Sequence, residues 1–303
     1  MKDQKRAVGY ALIAVLFWST VATAFKLSLV YLTPVELLLY ATVFSTAVLA
    51  VILVQQKKFG LALQCSRKEY LLSVQLGFLN PFLYYLILFK AYDSLPAQQA
   101  QPINYTWAIT LALLSVPLLK HRIGWQQWLA LIVSYIGVVV ISTEGKPLDL
   151  SFTNPFGVFL ALISTVVWAL YWIFNTKDRR DPVIALFVNF VFSLPFILVY
   201  YLVFEEVRLV PLQGVLGAAY VGLFEMGICF VLWLMAMKLT DNTARISNLI
   251  FLSPFLSLVF IHFILGEEVL AATFVGLVLI VIGLLIQRIK SQPDKTVERS
   301  AHE

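Results

Sequence analysis

Residues 34–53 read PVELLLYATVFSTAVLAVIL, and residues 182–201 read PVIALFVNFVFSLPFILVYY. The first holds one charged residue, Glu36, and the second holds none. Twenty nearly uncharged residues make a helix about 30 Å long, the thickness of a bilayer's hydrocarbon core. Both stretches open on Pro-Val (Pro34-Val35 and Pro182-Val183), and ten residues on Phe44-Ser45 answers Phe192-Ser193. Proline at the first helical position is pre-set for a helix start. One kind of element therefore occurs twice in the chain.

Working outward, Trp18 matches Trp168, Gly77 matches Gly222, Ala91 matches Ala236 and Gly137 matches Gly283, all at an offset between 145 and 150. Apolar runs surround these positions, at about 7–27, 34–55, 69–90, 97–119, 125–142, 155–175, 182–203, 211–237, 243–265 and 269–288. Ten spans of about 20 residues use roughly 200 of the 303 and leave short loops. The chain is 60% apolar and 13% charged, against about half and a quarter in soluble domains. That balance excludes an ordinary soluble enzyme, whose surface could not hide so much apolar area. It also excludes disorder, which needs low hydrophobicity and high charge. The expected fold is all-α: a polytopic membrane bundle of ten transmembrane helices as two inverted five-helix repeats. Residues 1–145 form the first repeat, and 146–303 form the second with a short cytoplasmic tail. Five is odd, so the second copy enters the membrane from the opposite side. Inverted repeats are the architecture of many secondary transporters.

Charge sets the orientation. With a cytoplasmic N-terminus and ten alternating spans, eighteen of the 22 lysines and arginines fall on the cytoplasmic side. Only Lys26, Lys90, Lys146 and Arg208 fall outside, as the positive-inside rule requires. Both termini are then cytoplasmic, in a plasma membrane or bacterial inner membrane. Met1–Arg6, the apolar stretch after it and Ala22-Thr23-Ala24 imitate a secretory signal. The run is long enough to span, and its loss would break the repeat, so it reads as a retained helix. Cys65 and Cys229 fall at different depths and form neither a disulfide framework nor a metal site.

Several features resemble a known family. They are ten helices as five plus five, Leu265-Gly266-Glu267-Glu268 after Pro254, and Gly276 and Gly283 seven apart. These are similar to the EamA-type permeases of the drug/metabolite transporter superfamily, over about residues 8–288. The resemblance implies a cavity lined by the first, third and fourth helices of each half. Ile103-Asn104-Tyr105-Thr106-Trp107 resembles a stretch of that superfamily's aromatic amino acid exporters, with Ala108 where proline usually follows. The first half carries Lys120-His121-Arg122 where the second has Gly266-Glu267-Glu268.

Polar groups in hydrocarbon are expected to face a bundle interior or a wet cavity. Ser164, Trp168, Tyr171 and Asn175 fall on one helical face, as do Ser73, Gly77, Asn80 and Tyr84. Gln98, Gln101, Asn104 and Tyr105 form a third stripe, and Trp18, Ala22 and Phe25 a fourth. The expected substrate-binding residues are Trp18, Asn80, Tyr84, Gln101, Asn104, Tyr105, Trp107, Trp168, Tyr171 and Glu225. Aromatic faces bind planar apolar groups and attract ammonium, and amides meet a zwitterion from both sides. Single aromatics of this kind also serve as packing residues and interface anchors. Glu225, deep in the eighth run, is the sharpest signal. An intramembrane carboxylate marks a substrate or proton site, with packing through a neutral hydrogen bond as the bland alternative. Glu36, Lys90, Glu267 and Glu268 read as wetted or snorkelling, as does Lys26. Arg245 reads as an anchor, and His262 as a lone histidine. Pro81, Pro102, Pro195 and Pro254 mark kinks, with Pro81 beside Asn80 the first choice for a hinge.

No phosphate loop, zinc-spaced cluster or nucleophile elbow occurs. The chain is thus expected to be no enzyme, with no metal and no cofactor. Its partners are a small-molecule substrate, the lipid bilayer and a proton as candidate coupling ion, with no nucleic acid. The expected function is export of a small organic metabolite by alternating access, foremost an amino acid with an aromatic or large apolar side chain. The alternatives are a nucleobase or organic cation as the solute, a channel, or a non-transporting membrane scaffold.

Overall fold

The computed structural model describes residues 3–119, 124–148, 154–240, 246 and 249–287. Among these the chain is all helix. In order the helices are α1 (Gln4–Leu29), α2 (Pro34–Gln55), α3 (Arg67–Ser94), α4 (Ala97–Asn104), α5 (Trp107–Leu119) and α6 (Trp125–Ser142). Then follow α7 (Pro155–Asn175), α8 (Pro182–Phe204), α9 (Leu212–Leu239), α10 (Leu252–Leu265) and α11 (Ala271–Gln287). Seven of them are long and apolar enough to cross a membrane, namely α1, α2, α3, α6, α7, α8 and α9. The fourth expected run is instead broken between α4 and α5 at Tyr105-Thr106, and α10 and α11 are shorter apolar helices. Lys120, His121, Arg122 and Arg245 lie outside the described residues.

The helix starts are written in the sequence. Thr33 and Glu36 form a capping box ahead of Pro34, and Ser66 and Glu69 form another at the start of α3. Asp3, Asn154 and Asp181 accept from the backbone of α1, α7 and α8. Helices satisfy their backbone internally, which a lipid solvent demands. The outward faces are apolar to match: α8 exposes Val199, Leu202 and Val203, and α6 exposes Ile132 and Ile136.

Loop contacts sort into two ends. At the first, Asp3 N–H donates to Leu239 O (2.9 Å) and Lys58 pairs with Asp181 (2.6 Å). At the second, Arg208 pairs with Glu36 (2.7 Å), Lys26 donates to Tyr92 O (2.9 Å), and Asn154 donates to Ser94 O (2.9 Å). Successive long helices run alternately between these ends. Glu36 and Lys26 are therefore not simply wetted: Glu36 is buried against Arg208, and Lys26 holds carbonyls at the end of α3.

Two reciprocal packings tie the halves together. A Cβ on Gly77 of α3 would run into the Asn189 carbonyl oxygen of α8, and one on Gly222 of α9 into the Ala41 carbonyl oxygen of α2. Gly137 of α6 and Gly276 of α11 likewise face each other's carbonyls. Small residues let membrane helices approach this closely. The two ion pairs obey the same reciprocity. Lys58, just past α2, reaches the residue capping α8, while Arg208, just past α8, reaches the first turn of α2.

Candidate functional site

A cavity of about 670 Å³ opens between α1, α3, α4, α5, α7 and α9, with Pro182, Ala185 and Leu186 of α8 at one side. It runs from Phe25, Tyr92 and Gln101 near the second end to Ser115, Asp178 and Arg180 at the first. Its size is that of a small-molecule site.

Trp168 stands at its centre. Its ring stacks on Tyr84 (4.4 Å between centroids) and Tyr171 (5.5 Å), and meets Trp107 (6.4 Å) and Trp172 (5.8 Å) edge-on. Across the cavity Trp18 meets Trp233 (5.3 Å) and Phe230 (6.1 Å). A hydrogen-bonded line fixes the polar wall. Tyr84 hydroxyl donates to Asn104 Oδ1 (3.3 Å), Asn104 Nδ2 donates to Ser164 Oγ (3.0 Å), and Ser164 donates to Ala161 O (2.7 Å). The break after Asn104 turns Tyr105 and Trp107 into the same space.

Glu225 is the acid in this wall. Tyr85 hydroxyl donates to its Oε1 at 3.1 Å. Among the described residues no cation lies within ion-pairing distance of it. A carboxylate in a low-dielectric, aromatic-walled space attracts an ammonium or a proton strongly.

Nine of the ten expected residues line the cavity: Trp18, Tyr84, Gln101, Asn104, Tyr105, Trp107, Trp168, Tyr171 and Glu225. Asn80 does not. The chain from Phe78 to Leu83 is a π-type segment in which Asn80 itself has extended backbone (φ −146, ψ 121). The stripe Ser73, Gly77, Asn80, Tyr84 assumed unbroken α-helix, and the kink at Pro81 divides it. Tyr84 reaches the cavity, while Asn80 is buried beside Asn189 and the Tyr171 hydroxyl. Ser73 instead accepts from Arg180, and Gly77 packs on α8.

Lining residues that the sequence did not point to include Trp172, Phe230, Trp233, Asp178 and Arg180. Phe230 and Trp233 lie five and eight residues past Glu225. Glu225 lies in the π-type segment Val221–Ile228, which shifts the register. The α period does not foresee that shift for Phe230, while eight residues is an α spacing that could have found Trp233. Asp178 and Arg180 belong to the loop after α7. They form a buried pair at 2.6 Å, with side chains 4% and 6% exposed. Arg180 also donates to Ser73 Oγ (2.7 Å) and contacts Cys65 Sγ (3.7 Å). Burial by itself would raise the Asp178 carboxyl, but the hydrogen bonds and charge of Arg180 outweigh it and hold the group below its ordinary range.

The fold and cavity together define a membrane transporter of small solutes. The EamA-like transporter family model matches residues 5–143 and 155–288, and the chain belongs to that family. It is similar to an uncharacterized transporter of Clostridium kluyveri, 26% identical over 66% of this chain and 70% of that one. It is also similar to an uncharacterized transporter of Archaeoglobus fulgidus, 23% identical over 90% of this chain and 95% of that one. One protein of known crystal structure shares its fold at a TM-score of 0.64 and 20% identity, over 95% of this chain and 100% of that one.

Proposed function

We propose that this transporter exports a small organic amphiphile by alternating access, with ten membrane spans arranged as two inverted five-helix repeats. The proposed solute is foremost an amino acid with an aromatic or large apolar side chain. One observation carries the reading: indole and phenol rings line a cavity in which, among the described residues, the Glu225 carboxylate has no ion-pair partner. The rings take the planar or apolar side chain, Glu225 takes the ammonium, and Gln101 and Asn104 meet the remaining polar atoms. The reciprocal contacts of Gly77 and Gly222, and of Lys58–Asp181 and Arg208–Glu36, support an inverted repeat. The family match in two segments supports it too. Under the positive-inside rule the first end faces the cytoplasm and the membrane is a plasma or inner membrane. Protonation of Glu225 offers a means of coupling to a proton gradient.

A second solute class is favoured by one feature. Asp178 consumes the charge of Arg180, so the cavity's uncompensated charge is negative. An organic cation suits that balance as well as a zwitterion does.

Counterflow of radiolabelled solute into proteoliposomes tests both, since it needs no driving gradient. Saturable exchange of phenylalanine or tryptophan is expected, weakened roughly tenfold or more in Glu225→Gln, which loses a charged contact of ~1.5–3 kcal/mol. Exchange of a lipophilic cation with no exchange of amino acids would move the assignment to the second class. Absence of exchange for every solute from folded protein would remove both.

A further inference from the structure

The turn Leu95-Pro96, between α3 and α4, is clamped from both sides by opposite charges. From α1, Lys26 Nζ donates to Tyr92 O (2.9 Å) and Leu95 O (3.1 Å), the carbonyls that end α3. From the loop before α11, Glu267 accepts from Ala97 N–H (2.9 Å) and Gln98 N–H (3.2 Å), the free donors that begin α4. A cation at a helix C-terminus and an anion at an N-terminus are each the favoured sign. Gln98 reinforces the second contact. Its Nε2 donates to Glu268 O (2.7 Å), and its Oε1 accepts from Leu270 N–H (3.0 Å) and Thr273 Oγ1 (3.0 Å). The cavity begins directly beneath, at Phe25, Tyr92 and Gln101. The clamp therefore lies across one mouth of the pathway and joins residues 97–98 of the first half to residues 267–273 of the second.

Two inter-half ion pairs are of a different kind. Lys58–Asp181 and Arg208–Glu36 close both ends of the α2–α8 pair at once. Links that are shut at both ends in one conformation hold an axis and cannot alternate. The Glu267 contact has no equivalent in the sequence of the other half, where Lys120-His121-Arg122 occupies the matching place. The residue matching Glu267 is His121, which carries no negative charge and offers at most one acceptor nitrogen where a carboxylate offers two oxygens.

We propose that Glu267, with Gln98, is the outer gate latch of this transporter, and that its presence in one repeat only biases the resting protein to the conformation closed on that side. The proposal rests on the alternating-access reading but not on the identity of the solute. Opening to the outside must break five hydrogen bonds that Glu267 and Gln98 make, two of them to a carboxylate.

The test uses full-length protein with Cys65→Ser and Cys229→Ala, carrying Gln101→Cys just below the turn. A membrane-impermeant maleimide is applied to right-side-out and inside-out vesicles, with no solute present. The parent is expected to label from the cytoplasmic face and resist labelling from outside. Glu267→Gln keeps one acceptor oxygen of two, and outside labelling is expected to rise roughly tenfold or more, the loss of one charge-assisted hydrogen bond. Gln98→Ala should shift labelling in the same direction and keeps the question open to test if the first variant fails to fold. Lys58→Met, on the axis, should leave outside labelling unchanged. Unchanged outside labelling in folded Glu267→Gln or Gln98→Ala, or a parent already labelled from outside, would overturn the latch. Failure of counterflow with every solute in protein that keeps Gln101, alongside a positive labelling result, would sink the solute assignment and leave the latch standing.

Discussion

Trp168 is 8% exposed yet borders the cavity and touches rings from α3, α5, α7 and α9. Binding and stability therefore meet in one side chain. Trp168→Phe keeps a ring but loses the second one, and exchange affinity is expected to weaken several-fold, since a ring pair contributes about 0.5–1.5 kcal/mol beyond its buried area. Trp168→Ala is expected to cost about 3–5 kcal/mol of stability, seen as a lower Tm in detergent. Comparing the two separates recognition from packing. Asp178 gives a pH test with a definite sign. Its carboxyl is held below the ordinary value, so the stabilisation from its Arg180 pair is complete above about pH 4 and lost as pH falls through the lower folded value. The Tm difference between the parent and Asp178→Asn is expected to stay constant from about pH 8 to 5 and to shrink below about pH 4. A difference already shrinking near neutrality would contradict the ion pair. The place of Glu225 in the cavity was legible in the sequence because a carboxylate deep in an apolar run is expected to face a bundle interior or a wet cavity. Arg180 was not, because a basic residue just after a span reads as an orientation signal, and only the fold of its loop carries it back to the cavity.

At the scale of the helix, π-type segments decide which side chains meet. Among the described residues they occur at Phe78–Leu83 in α3, Val221–Ile228 in α9 and Ile261–Leu265 in α10; Gly77 precedes the first and Gly222 lies within the second, and both pack across to the other half. A π turn slips the side-chain register by one residue. The kink at Asn80-Pro81 takes Asn80 out of the cavity, and past the π-type turns of α9 Phe230 lies in it. The stripe on α7, an unbroken α-helix, was legible as far as Trp168, Tyr171 and Asn175. Periodicity reads straight helices well and fails where the helix changes kind. The glycines themselves carry a stability prediction. Gly77→Ala and Gly222→Ala each place a methyl group against a backbone carbonyl of the partner helix, which cannot yield as a side-chain tip can. Each is expected to cost about 1–3 kcal/mol, measured by thermal unfolding in detergent. Gly9→Ala in α1 meets nothing within 4 Å and should be neutral or slightly stabilising. Equal losses at Gly77 and Gly222 are what reciprocal packing requires, and a large loss at only one would argue against it.

Over the whole molecule, Gly77 and Gly222, which match in sequence, each pack on a helix of the other half, Gly77 on α8 and Gly222 on α2. Apolar segments were legible because lipid imposes a length and a composition on a span, while the break at Tyr105-Thr106 was not. Which half touches which was not, because apolar faces are interchangeable in sequence. Close glycine approach and charge pairing settle it only in three dimensions. This arrangement divides the inter-half links into an axis and a gate, and chemical cross-linking separates them. Lys58→Cys with Asp181→Cys, joined by a short bifunctional reagent, locks one end of α2–α8 in the contact it already makes. If that pair is an axis, counterflow should persist at near the parent rate. Gln98→Cys with Glu268→Cys, joined in the same way, locks the Leu95-Pro96 turn to the loop before α11. There counterflow should fall to background and recover when a cleavable reagent is reduced. Both cross-links use protein lacking Cys65 and Cys229, so each reagent meets only the introduced thiols. Loss of exchange at Lys58 and Asp181 would show that α2 and α8 part during the cycle. Persistence at Gln98 and Glu268 would show that solute leaves by a route that does not pass between α4 and α11.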